Sequence, residues 1–491
     1  MSGQSHGYNV SVGYSYGFFR EMAPDWLDFC VRVAGYDRPP RKARTRRYLE
    51  LGCGQGFGLC ILAAANPKAE FVGTDLQPEH IAHGEGLARA AGLTNIRFVE
   101  GDFVELAADW PKDFGTFDYV AMHGILSWIS DSVRDSVAQC LLHATRPGSL
   151  VYAGYSAQPG WIATIPFQHF SLLIKETTGK PDASVRSDST ALFDRLAAAN
   201  APIFQVLPTL KSRVDAVKAK DENYFVHEYL QESWRPLWHS EAADLLRQAK
   251  LDFAAPATMA DSLLPQLLRP ALRELIEEQP NDDLRGDLQD LVVNQGFRRD
   301  IFCRESARSA VGGLDRAGET LLYLVPELVS GNFVAFATSF GEVRLEWANF
   351  AHIVDALSDG PKSVSELLAL PNRGEMSAEN LLTLLLHASI LGVGAADPGE
   401  SSVSQRINAV IARAAVDGAP YKDVAAGNLG SGIHLAESDL ILIDAWLQSS
   451  SGQDEAAFVD AVSKRLPNAA ELAKTFIAAT LPRYRQLGVL E

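Results

Sequence analysis

The feature that most constrains this chain is a glycine-rich loop that joins a short apolar run to a run of small residues. From Tyr48 to Gly58 the sequence reads YLELGCGQGFG, with Gly52, Gly54 and Gly56 at every second position. Glycine allows a sharp backbone turn and lets a ligand approach the main chain closely. The pattern predicts a strand, a ligand-binding turn and a helix in that order.

Strand and helix patterns alternate around this loop. Apolar runs at 48–51, 70–74, 96–100, 117–122 and 149–153 are separated by helical patterns such as those at 57–65, 79–91 and 131–145. Such alternation predicts a parallel sheet that is covered on both faces. Beyond residue 166 helical patterns dominate, and three short helical runs between 350 and 390 are typical of a winged helix-turn-helix.

The loop does not match the two commonest phosphate-binding patterns. The sixth position counted from Gly52 is Phe57 and that counted from Gly54 is Leu59, where a dinucleotide loop needs glycine or alanine. No Gly-Lys-Ser or Gly-Lys-Thr of a P-loop is present. The carboxylate of Glu50 would repel a pyrophosphate and favour a cationic amine. S-adenosylmethionine carries an α-amino group and a sulfonium but no phosphate, so it is the expected ligand.

Two further carboxylates follow the next two strands. Asp75, with Leu76 beside it, ends the second strand, where a carboxylate can accept both ribose hydroxyls of a bound nucleoside. Asp102 ends the third strand and can accept from the adenine amino group, and Phe103 can pack on the ring. Three such signals on successive strands resemble the class I methyltransferases, and this resemblance covers about residues 47–155.

The segment after the fourth strand points to a narrower family. It reads HGILSW from His123 to Trp128 and lacks the Asn/Asp-Pro-Pro-Tyr of amide and adenine N-methylases. It resembles the His-Gly-x-x-Ser-Trp of bacterial proteins that join a class I domain to a methyltransferase regulatory domain, among them rickettsial lysine methyltransferases acting on an outer-membrane protein. The segments AQPGW at 157–161, YFVHEYL at 224–230 and QGFRRD at 295–300 resemble the same family, whereas residues 400–491 match it least.

The resemblance implies an α/β fold with a Rossmann-like seven-stranded methyltransferase sheet and additional, mainly helical domains. We expect an N-terminal cofactor cover at 1–46 and a class I domain at 47–165 that extends towards about 215. A helical regulatory domain is expected at 216–305, a winged-helix-like segment at 306–398 and a helical segment at 399–491.

The resemblance also implies N-methylation of lysine in a protein substrate. Lysine must lose its proton before it attacks a methyl group, and burial in an apolar, aromatic channel lowers its pKa. His123, Trp128, Tyr14 and Tyr155 are the candidate catalytic residues, and Tyr8 and His123 are also expected at the cofactor. Each of these side chains can instead belong to the core. A small-molecule N- or O-methyltransferase of secondary metabolism and a non-catalytic cofactor sensor stay open as alternatives.

Composition narrows the partners. A formal net charge of −17 and a pI of about 5.1 argue against nucleic-acid binding and suit a basic protein segment. Five scattered cysteines, no apolar run of about 18 residues and no signal-peptide pattern predict a cytoplasmic protein without a membrane span. No histidine, cysteine and carboxylate spacing suggests a metal site.

Overall fold

A computed structural model describes residues 4–5, 8–9, 16–37, 45–220, 222–309, 311–325, 333–339, 341–371, 376–449 and 455–491. Two short strands, β1 (Gln4–Ser5) and β2 (Tyr8–Asn9), pair with each other near the N-terminus. In the described part of the chain, every helix is too short or too polar to span a bilayer.

A seven-stranded sheet forms the centre of the molecule, as predicted. Its strands are β3 (Arg47–Leu51), β4 (Glu70–Asp75), β5 (Ile96–Glu100), β6 (Tyr119–His123), β7 (Leu150–Ser156), β8 (Asp252–Pro256) and β9 (Phe297–Cys303). The order across the sheet is β5-β4-β3-β6-β7-β9-β8. The first five strands are parallel, and β9 runs antiparallel to both of its neighbours.

Helices cover both faces of this sheet, which explains the continuous apolar runs of its central strands. Leu27, Ile61 and Ile81 lie on one face, in α1 (Pro24–Val33), α2 (Phe57–Ala65) and α3 (Pro78–Ala90). Leu106 and Val137 lie on the other face with α4 (Phe103–Ala108), α5 (Asp131–Ala144) and α11 (His239–Arg247).

The segment at 216–305, expected to be helical, also supplies β8 and β9. These two strands complete the sheet, and β9 pairs with β7 from Leu150↔Cys303 to Ser156↔Phe297. Three helices separate them, namely α12 (Met259–Leu267), α13 (Pro270–Glu277) and α14 (Asp282–Val293). The sequence did not reveal β9 because this strand carries Arg298, Arg299 and Asp300 in its middle, which hides its strand pattern.

In chain order, a separate group of helices follows β7 and precedes α11. Its members are α6 (Ile165–Thr178), α7 (Asp182–Ala198), α8 (Ile203–Val206), α9 (Thr209–Lys218) and α10 (Glu222–Tyr229). Phe167, Phe193 and Phe225 form the centre of their own apolar cluster.

Residues 306–398 combine short strands and helices. The elements are β10 (Leu321–Leu324), β11 (Phe333–Thr338), β12 (Gly341–Glu346), α15 (Ala351–Ala356), β13 (Lys362–Ser363), α16 (Val364–Leu368), α17 (Ala378–His387) and β14 (Leu391–Val393). Strands β11 and β12 form an antiparallel hairpin. Strand β10 pairs with both β13 and β14, and the winged-helix interpretation stays a prediction.

The C-terminal segment is not only helical. It contains α18 (Ser401–Val416), β15 (Asp423–Ala426), β16 (Ser431–His434), α19 (Glu437–Gln448), α20 (Glu455–Ser463), α21 (Ala469–Thr475) and α22 (Leu481–Leu487). Strands β15 and β16 form a hairpin that packs with α18 on α2. Gly432 lies so close to α2 that a Cβ there would stand 2.7 Å from Cγ2 of Ile61. The C-terminal segment therefore packs against the helix that follows the glycine-rich loop.

Candidate active site

The glycine-rich loop follows β3 and leads into α2, as predicted. Gly52, Gly54 and Gly56 have φ angles of +72°, +52° and +69°, in the left-handed region that favours glycine. A Cβ at Gly52 would collide with the Ile125 side chain. A Cβ at Gly54 would meet nothing within 4 Å, because Gly54 borders an open cavity. The loop thus presents bare main chain to a ligand.

Asp75 holds this loop in place. Its Oδ2 accepts a hydrogen bond of 2.8 Å from the Gly54 amide, and its Oδ1 accepts one of 3.0 Å from the Gln77 amide. His80 Nδ1 lies 3.0 Å from the same Oδ1. The carboxylate therefore shapes the loop from β4, and the adjoining Leu76 is half-buried. Its expected contact with ribose hydroxyls stays a prediction.

Glu50 brings an unmatched carboxylate to the loop. The side chain on β3 is 8% exposed, and among the described residues Oε2 has no hydrogen-bond partner. Burial, with a smaller contribution from Asp75, raises the pKa of Glu50 to about 8. A buried carboxylate without a donor is costly, so an ammonium group placed here would be strongly favoured. This is the chemistry expected for the amino-acid end of S-adenosylmethionine.

A cavity of about 100 Å³ joins these features. Its described wall is formed by the N-terminal segment, the glycine-rich loop, α2 and the end of β6, namely Gly17, Phe18, Phe19, Met22, Glu50, Gly52, Cys53, Gly54, Gln55, Phe57, Gly58, Leu62 and His123. The structure therefore brings Glu50, Gly52, Gly54 and His123 together. The predicted residues Gly56, Asp75, Leu76, Asp102 and Phe103 are not part of this wall.

The expected adenine contacts lie at the other side of Gly52. Asp102 caps α4, and its Oδ1 accepts from the Val104 amide at 2.7 Å. A Cβ at Gly52 would stand 3.9 Å from the Phe103 ring. The Phe103 ring and the Ile125 side chain therefore both lie next to Gly52. The binding of adenine beside Phe103 stays a prediction.

His123 ends β6 and is enclosed by aromatic rings. Phe19 stacks on it with centroids 3.7 Å apart, and Phe297 lies at 5.2 Å. Nδ1 lies 2.8 Å from the hydroxyl of Tyr152 on β7. Burial, and then the nearby charge of Arg299, lower the pKa of His123 to about 3. His123 is therefore a neutral imidazole in the wall of the cavity, and Phe19 and Tyr152 are partners that the sequence did not reveal.

Tyr155 lies on the opposite face of the sheet from Tyr152. Side chains alternate along a strand, and three positions change the face. The Tyr155 hydroxyl donates to Asp300 at 2.7 Å, and Arg298 Nε donates to the same carboxylate at 2.7 Å. Tyr155 thus belongs to a buried ionic cluster outside the cofactor cavity, and we do not carry it into the proposed site.

The other three catalytic and cofactor candidates are placed as follows. Trp128 is 7% exposed and packs near Trp234, with ring centroids 6.2 Å apart, so it lies in an aromatic cluster with Trp161. The side chain of Tyr8 and the whole of Tyr14 lie outside the described residues, and their roles stay predictions.

The C-terminal region braces the glycine-rich loop through His83 on α3. Its Nδ1 lies 2.6 Å from the Gln55 carbonyl oxygen and its Nε2 lies 2.8 Å from the Tyr421 hydroxyl. A carbonyl only accepts, so Nδ1 donates and Nε2 accepts from Tyr421. Tyr421 also stacks on Phe57, with centroids 4.6 Å apart. No local sequence pattern indicates this link, because 338 positions separate the two partners.

Two motifs that carried the family resemblance contact each other. Gly160 donates its amide to the Gln295 carbonyl at 2.8 Å, and Trp161 Nε1 donates to the Gly296 carbonyl at 2.7 Å. A Cβ at Gly160 would stand 2.5 Å from that Gln295 oxygen. The turn after β7 and the start of β9 thus fit together only with glycine at this position.

Comparisons with known proteins agree with this architecture. A methyltransferase domain model matches residues 43–158, and a model described as a predicted methyltransferase regulatory domain matches residues 221–304. An uncharacterized protein of Synechocystis is 30% identical over 366 residues, which are 74% of this chain and 71% of that protein. The chain belongs to this methyltransferase family. It is an S-adenosylmethionine-dependent methyltransferase, and S-adenosylmethionine is its cofactor.

Two rickettsial proteins extend the comparison. An uncharacterized protein of Rickettsia prowazekii is 26% identical over 289 residues, which are 58% of this methyltransferase and 50% of that protein. PKMT2 from Rickettsia typhi, solved in complex with AdoHcy, shares the fold with a TM-score of 0.70 and 17% sequence identity. That match covers 96% of this chain and 99% of PKMT2, so the shared fold includes the regions outside the methyltransferase domain.

The residues of the cavity fit this cofactor. The open main chain at Gly54 permits close approach, and the unmatched oxygen of Glu50 suits an α-ammonium group. Asp75 ends β4, and Phe103 begins α4 shortly after β5, where ribose and adenine are expected. Which residue contacts which part of the cofactor stays a prediction.

Proposed function

We propose that this methyltransferase transfers methyl groups to lysine side chains of a protein substrate. The observation that carries the proposal is the fold shared with PKMT2 over 96% of the chain. The shared fold includes the parts of the chain that line a second cavity. The sequence resemblance to rickettsial lysine methyltransferases supports the same substrate class.

The second cavity has a volume of about 490 Å³ and adjoins the cofactor cavity. Phe18 and Phe19 line both spaces. Its other walls include Val325, residues 335–337, 387–389 and 391–393, and the hairpin of β15 and β16. A space of this size is sufficient for a lysine side chain with part of its flanking peptide. We propose that the acceptor enters here, and that Phe18 and Phe19 form the boundary at which it reaches the cofactor.

The second cavity is lined by ionisable residues of both kinds, since Arg20, His387 and His434 lie beside two carboxylates. Glu21 and Asp423 both line it. Asp423 lies 3.0 Å from His434 Nδ1, and Glu21 lies 3.7 Å from Arg20 Nε. The net charge of −17 for the whole chain adds a long-range attraction for a lysine-rich segment.

The chemistry required of the chain is mainly positioning. When bound, S-adenosylmethionine supplies a methyl group already activated by its sulfonium charge. Phe19 and Phe297 give the region of His123 an apolar, aromatic wall, which lowers the pKa of an entering lysine and attracts its ammonium by the ring faces. His123, with its pKa near 3, does not take up the lysine proton at neutral pH. We therefore expect water outside the channel to receive that proton before transfer.

Methyl transfer from labelled S-adenosylmethionine into a bacterial lysate separated by size tests the proposal. The expected result is label in discrete protein bands that yield methyl-lysine on hydrolysis. The Asp75→Ala variant serves as the control for enzyme-dependent label. Label confined to small molecules would refute the lysine proposal and favour a metabolite methyltransferase.

A further inference from the structure

Strand β11 has one edge that its partner strand does not cover. Among the residues that the structure describes, β11 pairs only with β12, and the two strands are antiparallel. In such a pair, the main-chain groups of alternate residues point away from the partner strand. The Ala337 carbonyl accepts a hydrogen bond of 2.7 Å from His387 Nε2, so Ala337 belongs to this outward set. Ala335 and Phe333 belong to the same set, because they lie two and four positions before it.

This outer edge of β11 faces the second cavity. Ala335, Phe336 and Ala337 all line the cavity. Side chains alternate between the two faces of a strand, so three consecutive residues border one space when the strand turns its edge toward it. The Phe336 ring is buried beside Phe350 on one face, whereas Phe333 is 58% exposed. The cavity wall therefore includes main-chain N–H and C=O groups that point away from β12.

The two strands of this hairpin differ in how their edges are protected. An uncovered strand edge pairs readily with other extended chains, and proteins commonly prevent this with charged side chains or proline. Strand β12 reads GEVRLE and has a charged residue at every second position. Strand β11 reads FVAFAT and has neither a charge nor a proline. The edge of β12 is therefore protected against pairing, whereas the edge of β11 is suited to receive another strand.

Hydrogen bonds connect the edge of β11 to the boundary between the two cavities. His387 donates to the Ala337 carbonyl, and its own carbonyl accepts from Arg20 Nη2 at 2.7 Å. Arg20 follows Phe19, which lines both cavities. The Phe19 ring stacks on His123 in the wall of the cofactor cavity. A chain bound along β11 would therefore lie at a fixed position relative to the cofactor.

We propose that the acceptor polypeptide binds as an extended strand along the outer edge of β11 and presents its lysine toward Phe18 and Phe19. The outward main-chain groups from Phe333 to Ala337 span about 14 Å, which matches a short extended segment. Small side chains at Ala335 and Ala337 leave space beside the bound strand. This proposal rests on the proposed function, since it takes a protein as the acceptor.

Hydrogen exchange at single-residue resolution tests the free edge in the full-length enzyme without acceptor. The amides of Phe333, Ala335 and Ala337 point away from β12, whereas those of Val334 and Phe336 bond to it. The outward amides should exchange at least roughly 10-fold faster than the inward ones. Equal rates, or the reverse order, would overturn the proposal.

The Ala335→Pro variant tests the docking itself. Proline is tolerated on an edge strand where its nitrogen faces away from the partner strand, so the bonds to β12 are kept. Methyl transfer from labelled S-adenosylmethionine into lysate protein should fall at least about 10-fold at limiting acceptor, because proline removes a donor and obstructs the approach of a strand. The affinity for S-adenosylhomocysteine, measured by calorimetry, should change less than about twofold.

Arg344→Pro is the matched control. Arg344 lies directly opposite Ala335 on β12, and its N–H points away from β11. The substitution places the same proline on the other edge of the hairpin, away from β11. Both protein labelling and cofactor affinity should stay within about twofold of the unsubstituted enzyme. A loss of labelling in Arg344→Pro equal to that in Ala335→Pro would contradict docking at the β11 edge.

The outcomes separate this proposal from the lysine proposal. Full protein labelling by Ala335→Pro would overturn docking at β11 and leave lysine methylation standing. If the unsubstituted enzyme labels only small molecules, the lysine proposal fails and the docking proposal fails with it. A molecular mass that falls from dimer to monomer in Ala335→Pro would assign the edge to a second copy of the chain and overturn the assignment to the acceptor.

Synthetic peptides provide a test that does not depend on the folding of Ala335→Pro. The peptides span the methylated lysine of a labelled protein and carry N-methyl groups on one or the other alternate set of main-chain amides. With the unsubstituted enzyme, the set that faces β11 should lower methylation at least about 10-fold, and the other set less than about threefold. Equal effects of the two sets would overturn the proposal.

Discussion

Replacing Glu50 with glutamine should stabilise the cofactor-free enzyme and weaken cofactor binding. The carboxylate is 8% exposed, and burial raises its pKa from the ordinary 4.5 to about 8. A carboxyl group whose pKa is raised by folding costs stability once the pH exceeds its unfolded value. The folded protein then loses stability as the pH rises from about 4.5 to 8.

The magnitude follows from the size of this shift. At pH 7 the ionised unfolded group lies about 2.5 pH units above its pKa, which corresponds to about 3 kcal/mol of lost stability at about 1.4 kcal/mol per unit. Water in the cavity screens part of this cost, so the figure is an upper bound for Glu50→Gln. For a cooperative unit of about 200 residues, it corresponds to a rise in Tm of up to roughly 10 °C.

Thermal denaturation between pH 5 and 8, with and without S-adenosylhomocysteine, measures both effects. Without ligand, Glu50→Gln should exceed the unsubstituted protein in Tm, and the difference should grow with pH. With ligand, this difference in Tm should become smaller or change sign, because losing the ion pair weakens ligand binding on the order of 10- to 100-fold. Glu85→Gln, at an exposed position on α3, is the control. A pH-independent difference between Glu50→Gln and the unsubstituted protein would refute the reasoning.

Three further predictions concern other parts of the enzyme. Asp75→Ala removes the acceptor of the Gly54 amide and the expected ribose contacts, and calorimetry should show cofactor binding weakened by about 2–4 kcal/mol; unchanged affinity would contradict the site. Tyr421→Phe removes the hydrogen bond to His83, so amide exchange in the glycine-rich loop should accelerate and cofactor affinity should fall by about 1 kcal/mol. Exchange identical to that of the unsubstituted protein would show that the brace has no effect. Asp300→Asn leaves Arg298 with one fewer buried counter-charge, and denaturation should show a loss of about 3–5 kcal/mol; a Tm unchanged within error would count against the buried cluster.

The sequence predicted the part of the site that depends on local order. The order of residues along the chain is enough to recognise a strand that is followed by Gly52, Gly54 and Gly56. It is also enough to recognise carboxylates at the ends of strands. In the structure Glu50 and Gly54 line one cavity, and Asp75 accepts from the Gly54 amide, a contact that the sequence analysis did not include.

The missing part depends on contacts between distant segments. Tyr155 was selected over Tyr152 because no local pattern tells which face of a fully buried strand meets the cavity. Phe19 reaches His123 from a separate N-terminal segment, and Tyr421 reaches His83 from the far end of the chain. Strand β9 was missed because its charged residues are neutralised by partners such as Asp290, which no alternation of polarity reveals.

The pairing of β7 with β9 sets a condition on how the enzyme is made. Until Cys303 has left the ribosome, β7 has no partner on one side and exposes a row of free amide and carbonyl groups. At about 5–20 residues per second, synthesis keeps this edge open for roughly 7–30 s after β7 itself emerges. The regulatory segment therefore supplies strands that complete the sheet of the cofactor domain. A chain cut after residue 165 should aggregate through its open edge, whereas one that continues beyond Cys303 carries the strands needed to close it.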